Sequence, residues 1–239
     1  MPFTGAISKV NHGTLHERIY DELKQAIIAG HLESGEVVTI RPLAQELGTS
    51  VMPVRDALLR LAAERALELL PNRSIRVPLM TRTGFDELYH IRTNLEGMAT
   101  AMAAESITDE EIGALEHAAD LVAVAIEAGD GAEWQAARKD FFFTIYGAAR
   151  SLHLMPMIES MWLQCGPIQT APFRQFMEEG GDAVGNWGRL GELIDALRAH
   201  DPDVARATIE QAFTEAVTWY HDNYSFDAAD ETGEAGAAS

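Results

Sequence analysis

Four arginines and a serine in the first third of this chain carry chemistry suited to nucleic acid. Arg41, Arg55, Arg73 and Arg76 hold permanent charge, and Ser50 offers a hydroxyl beside a helix start. A guanidinium presents paired N–H donors that match a phosphate or the O6 and N7 of guanine. A second point of chemical interest lies at KDFFFTIY, Lys139 to Tyr146, where three consecutive phenylalanines follow a charged pair. Catalytic constellations are missing: no G-x-x-x-x-G-K-[ST], no H-E-x-x-H and no nucleophile elbow. The single cysteine, Cys165, has no histidine at a recognised spacing. It reads as a small buried hydrophobe and rules out an intramolecular disulfide, which suits a reducing cytoplasm. The chain is therefore not expected to be an enzyme, and no cofactor is implied.

The charge distribution says where those arginines can act. The 239 residues carry a formal net charge of −19. Residues 1–80 hold nine Lys/Arg against nine Asp/Glu, and residues 81–239 hold nine against 28. A DNA-binding surface must then lie in the neutral first third. No apolar run is long enough for a transmembrane helix, and MPFTGAISKVNHG lacks the apolar stretch of a signal peptide.

Helices must position the arginines. Thr14-Leu-His-Glu17 reads as a capping box, Leu15, Ile19, Leu23 and Ile27 repeat every four residues, and Gly30 is the stop. An extended GEVVTI precedes a short helix from Arg41 to Leu47. Gly48-Thr-Ser50 turns into a second helix that runs to about Glu64. Pro53 falls in its first turn, where the missing N–H costs little. LELL and IRVP then flank Pro71-Asn-Arg-Ser74 as a two-stranded wing. Two short helices and a wing describe a winged helix-turn-helix, whose second helix would enter the major groove.

The remainder reads as helix. Thr81-Arg-Thr83-Gly84 is a candidate hinge. Leu88, Ile91, Leu95, Met98 and Met102 form one apolar stripe. Thr108-Asp-Glu-Glu111 starts another helix with a capping box, Gly129-Asp-Gly131 is a break, and Asp201-Pro202 opens the last helix. The fold class expected is mainly α: an N-terminal winged helix-turn-helix and a C-terminal bundle of six or seven helices. The expected domains are 1–80 for DNA binding, 81–226 for effector binding and dimerisation, and 227–239 as a disordered acidic tail.

At this point a family resemblance becomes specific. IYDELKQAIIAGHLESGE followed by LAQELGTSVMPVRDALLRLAAE and a wing resembles the DNA-binding domain of GntR-type bacterial transcription regulators. Arg92-Thr-Asn-Leu-Glu96 and the later Ala196-Leu197, Asp201, Ala205 pattern resemble the effector domain of the FadR-like branch, called FCD. The resemblance implies DNA contacts at Arg41, Ser50, Val51, Met52, Arg55 and Arg73. This chain departs from the pattern in three places. Val51 stands where an arginine usually follows the serine, Arg65 where a glycine usually begins the wing, and Ser74 where a glycine usually sits at its tip.

Many FCD domains resemble one another in a metal site built from an Asp and a His at i, i+4 and two later His. Aligned on Leu154, Asp201 and Ala205, these positions fall on Arg138, Phe142, Leu190 and Ala212, none of which can ligate. His90, His153, His200 and His221 have no ligand spacing among them. A metal-free pocket is therefore expected, lined by Arg92, Arg138, Phe142, Trp187, Leu190 and Ala212. Two arginines in such a site suit a carboxylate with an apolar body. The expected protein is a ligand-responsive homodimeric regulator, more often a repressor in such families, on a pseudo-palindromic double-stranded DNA operator. The competing reading is a helical interaction protein with weakened DNA binding and no effector.

Overall fold

The computed structural model describes residues 13–70, 74–179 and 189–227. The head begins with α1 (Gly13–Ile28). Ile19, Leu23 and Ile27 are buried, while Leu15 at the start of the repeat is exposed. The helix extends back through Gly13, so Thr14 lies inside the first turn rather than at the cap position expected for it. Gly30 ends the helix at φ 71°, a left-handed conformation that glycine adopts without a Cβ penalty. The N–H of His31 reaches back to the Ala26 carbonyl at 3.0 Å.

Next come β1 (Val37–Val38), α2 (Ile40–Glu46), α3 (Val51–Ala63), β2 (Glu68–Leu69) and β3 (Ile75–Arg76). The strands form one antiparallel sheet in the order β1-β3-β2, with Val37 opposite Arg76 and Glu68 opposite the same arginine on its other side. The extended GEVVTI stretch thus supplies a third strand to the expected two-stranded wing. Pro53 is buried in the first turn of α3. Arg65, in place of the usual glycine, takes a left-handed φ of 62°. For a residue with a Cβ this conformation costs about 1–2 kcal/mol.

The body holds α4 (Arg82–Ser106), α5 (Asp109–Ala128), α6 (Gly131–Ala148), α7 (Leu154–Gln169), α8 (Ala171–Glu179), α9 (Leu190–Arg198) and α10 (Pro202–Asn223). The expected hinge at Thr81 to Gly84 is a helix start instead: the Thr81 side chain accepts the Gly84 N–H at 3.1 Å and caps α4. Local signals fare better further on. Thr108 and Glu111 form both halves of a capping box, Gly129 closes α5 in the left-handed region, and Asp201 caps α10 ahead of Pro202.

α4 turns the opposite face inward from its apolar stripe. Phe85, Tyr89, Arg92, Glu96, Ala99 and Ala103 are buried, whereas Ile91, Met98 and Met102 are exposed. Only Leu88 of the stripe is buried, and Leu95 is half-buried. The inward arginine and glutamate neutralise one another, so the helix can bury a face that hydropathy alone marks as polar.

Head and body share one hydrophobic core. α1 lies on α7 so closely that a Cβ at Gly166 would fall 2.0 Å from the Ile27 carbonyl oxygen. Lys24 pairs with Glu159 at 2.6 Å across the same joint. Asp227 accepts from the Ser34 hydroxyl and the Met80 N–H, each at 3.0 Å, which ties the chain after α10 to the head. The rest of the expected disordered tail, 228–239, lies outside the described residues. No helix among the described residues is long and apolar enough to cross a membrane.

Candidate functional site: an exposed helix start and a buried arginine pair

The outer start of α3 presents the residues expected to meet DNA. Ser50 occupies the N-cap position with extended backbone, yet its side chain makes no capping bond and is exposed. Its hydroxyl and the first amides of α3 are therefore free to receive a phosphate oxygen. Val51 is 39% exposed and Met52 61% exposed. Arg55, one turn on, is half-buried, and Arg41 is exposed at the start of α2. Neither arginine forms an ion pair among the described residues. Arg76 differs: it pairs with Glu68 across the sheet, so its charge is partly neutralised. Arg73 lies outside the described residues. Behind α3, Arg60 stacks 3.6 Å above the Tyr20 ring, and the Tyr20 hydroxyl donates to Glu64 at 2.6 Å. That contact holds the helix against α1.

The body contains a buried polar cluster among aromatic rings. Arg92 Nε donates to Glu96 Oε1 at 2.7 Å, with both side chains 1% exposed. The Tyr146 hydroxyl donates to the other carboxylate oxygen. Burial works against the Arg92 charge, but Glu96 together with Cys165 and Tyr89 outweighs it and holds the pKa well above the usual arginine range. Arg138 has no carboxylate partner among the described residues. Its Nη1 donates to Gln169 Oε1 at 2.7 Å. Burial, and then repulsion from Arg92, lower its pKa. The two guanidiniums flank one indole, at 5.2 and 5.1 Å from the Trp162 ring. Arg138 also lies 5.5 Å from the Phe142 ring.

The expected effector residues fall into three groups. Arg92, Arg138 and Phe142 converge on Trp162. Leu190 and Ala212 are buried on α9 and α10, both of which pack against α4, the helix that carries Arg92. Trp187 lies outside the described residues. Sequence reasoning missed Trp162, Gln135 and Gln169. Its only usable signal for the glutamines was a polar residue set among apolar helix neighbours. The interior around the expected pocket residues is polar: Arg92, Glu96, Gln135, Arg138 and Gln169 are all buried. An open cleft of about 490 Å³ between head and body is bordered by Glu64, Arg65, Ile91 and Gln164, and by none of the expected effector residues.

Phe141 and Phe142 are both buried and pack edge to face at 5.3 Å. The metal positions of the FCD pattern do not suit a metal in this chain. A guanidinium stands at the first, apolar side chains stand at the others, and a fixed cation repels a second one. Among the described residues no group of three or more His, Cys, Asp or Glu is placed to hold a metal. His200 Nδ1 lies 2.7 Å from the Ala104 carbonyl and His221 Nε2 lies 2.6 Å from Asp86, so both have local partners.

A head of this form joined to an all-helical body defines a class of transcription regulator, and comparison with known proteins agrees. Residues 15–77 match the family of bacterial regulatory proteins of the gntR type, and residues 87–215, more than half the chain, match the FCD domain. The chain belongs to the GntR family, in its branch with an FCD effector-binding domain. It is 29% identical over 233 residues to the HTH-type transcriptional regulator McbR of Escherichia coli strain K12, spanning 94% of this chain and 100% of that protein. The solved structure of E. coli McbR/YncC has a TM-score of 0.80 at 28% identity, over 89% of this chain and 99% of that one. A "Probable D-xylose utilization operon transcriptional repressor" of Paenarthrobacter nicotinovorans is 28% identical, spanning 92% of this chain and 96% of that protein. The protein is a transcription regulator and not an enzyme.

Proposed function

We propose that this regulator acts in the cytoplasm as a homodimeric repressor on a pseudo-palindromic operator, with a metal-free effector site at Arg92 and Arg138. The observation that carries the reading is the outer start of α3. Ser50, Val51, Met52 and Arg55 form one surface there, and Arg55 and nearby Arg41 have no competing ion pair among the described residues. Ser50 and the α3 amides receive phosphate, and Arg55 reads phosphate or guanine. Val51 replaces a cation with apolar surface that the exposed Met52 extends, which favours contact with thymine methyl groups. Residues 1–80 form the DNA head, 81–226 the effector and dimerisation body, and 227–239 an acidic tail.

The exposed face of α4 supports the dimer. Ile91, Met98 and Met102 are 39%, 46% and 37% exposed along one side of the helix. A second copy covers that stripe and places two α3 helices against successive major grooves. The effector is a small carboxylate with an apolar body: Arg138 lies buried beside a second cation, with no carboxylate of its own among the described residues. It shifts repression by favouring one arrangement of the two heads.

A mobility-shift titration tests this reading, using the purified full chain and intergenic DNA upstream of its own gene. Retardation at low salt that weakens steeply as salt rises is expected. A dimer that shifts no nearby intergenic DNA at low salt overturns the proposal and favours a helical interaction protein.

A further inference from the structure

Four buried polar atoms around the arginine pair have no hydrogen-bond partner among the described residues. They are Arg92 Nη1, Trp162 Nε1, Gln169 Nε2 and Gln135 Oε1. Three of the four are N–H donors. The amide orientations that expose them follow from their neighbours, because Arg138 can only donate and so requires the Gln169 carbonyl oxygen. Gln135 Nε2 shares that same oxygen at 3.2 Å and also donates to the Ile28 carbonyl at 3.0 Å. Ile28 is the last residue of α1, and its carbonyl is one of those a helix end leaves unsatisfied. A hydrogen-bonded path therefore runs from Arg138 through Gln169 and Gln135 to the DNA head. A buried donor left without an acceptor loses its hydration with nothing in return, and the loss is greater when the donor is charged. The cluster holds two guanidiniums and one carboxylate, so it lacks one negative charge.

We infer that Trp162 completes the anion site, and that Gln169 and Gln135 couple its occupancy to α1. The inference rests on the effector reading above and deepens it. A bound carboxylate accepts from Arg138, from Arg92 Nη1 and from the Trp162 indole. It takes over the role that the Gln169 oxygen plays toward Arg138. Gln169 then turns, and its amide loses the shared contact with Gln135. The bond from Gln135 to Ile28 is the only side-chain tie described from this cluster to the head. Beside it, Gly166 and Ile27 touch through backbone, and the amended tie shifts α1 against that contact. Gln135 and Gln169 are positioning residues in this scheme, while Trp162 and the arginines hold the ligand.

Acetate, the minimal carboxylate with a carbon body, is the probe, with chloride at matched ionic strength as control. The Trp162 indole N–H resonance, assigned by Trp162→Phe, is followed in the ¹⁵N-labelled full-length dimer. Acetate at tens of millimolar is expected to move it downfield as the indole gains an acceptor, and chloride is not. Acetate should also change operator affinity by roughly five-fold or more. Gln135→Met keeps the side-chain length but cannot donate. It should keep the Trp162 response and operator binding while losing the acetate effect on that binding. No acetate-specific shift of Trp162 overturns the anion site and the effector reading with it. A Trp162 shift with an undiminished operator response in Gln135→Met overturns the coupling and leaves the effector reading standing. The two failures are therefore distinguishable.

Discussion

Head and body use the same side chain in opposite ways. In the head, Arg41 and Arg55 sit at the surface with no ion pair among the described residues. In the body, Arg92 and Arg138 are buried against Trp162 and held by Glu96 and Gln169. A surface guanidinium is hydrated until a phosphate replaces its water, so it gives affinity that salt weakens. A buried guanidinium has already lost its water, so its partners decide whether it stabilises or destabilises the fold. Burial, not residue type, divides the two tasks.

The sharpest test of that contrast is Glu96→Leu. It strands Arg92 in the interior, and an unfolding titration should lose about 3–5 kcal/mol. Adding Arg92→Met to it should restore most of the loss. A single variant as stable as the parent would remove the buried half of the comparison. Arg55→Ala addresses the surface half. It should leave unfolding unchanged within about 0.5 kcal/mol. It should also weaken operator binding by about 1–3 kcal/mol and flatten the salt dependence by about one unit of slope. Val51→Arg restores a cation beside Ser50. It should move base preference from thymine toward guanine at one operator position, by up to about 1–3 kcal/mol, in a binding-site selection. An unchanged preference would mean that Val51 does not face a base. Met98→Glu places a charge on the outward stripe of α4. Sedimentation should show dimer affinity weakened by about ten-fold or more, equivalent to roughly 1.4 kcal/mol.

The smallest effect concerns acid. Partial burial opposes ionisation of Glu111, but the Thr108 N–H and hydroxyl and the Arg150 guanidinium outweigh it and lower its pKa. A lowered carboxylate pKa contributes stability that is complete at neutral pH. The contribution disappears as pH falls through that lowered value. Glu111→Gln should therefore flatten the acid limb of a stability-versus-pH curve, by less than about 1 kcal/mol. The same variant should leave operator affinity at neutral pH unaltered.

The sequence was most legible where one residue decides a local conformation. Gly30, Gly48 and Gly129 all adopt positive φ near helix ends, and Asp201 and Thr108 cap their helices through side-chain oxygens. These signals place the head helices to within a residue or two. Faces were harder. The stripe from Leu88 to Met102 looks like a core face because it is apolar, but the real core face carries Arg92 and Glu96 at i, i+4. Their mutual neutralisation is a property of the pair and does not register in a residue-by-residue hydropathy. Gln135 and Gln169 were invisible for a related reason. They lie 34 positions apart on different helices, and glutamine has no ligand-like spacing to betray a shared contact. The wing strand β1 was read as extended but not as a partner, since pairing with β3 depends on the chain's return nearly forty residues later.

The bare contact between Gly166 and Ile27 also sets the mechanical character of the joint. Side chains at an interface act as soft padding, because they absorb small displacements by changing rotamer. Two backbones in direct contact have no such damping. A displacement of α7 passes into the end of α1 almost undiminished. The head beyond it is a rigid lever, because α3 is braced to α1 through Tyr20, Arg60 and Glu64. At the far end of a lever, the outer tip of α3 travels further than the joint that moves it. A shift of a fraction of an ångström in the body can thus become a larger displacement of the outer tip of α3.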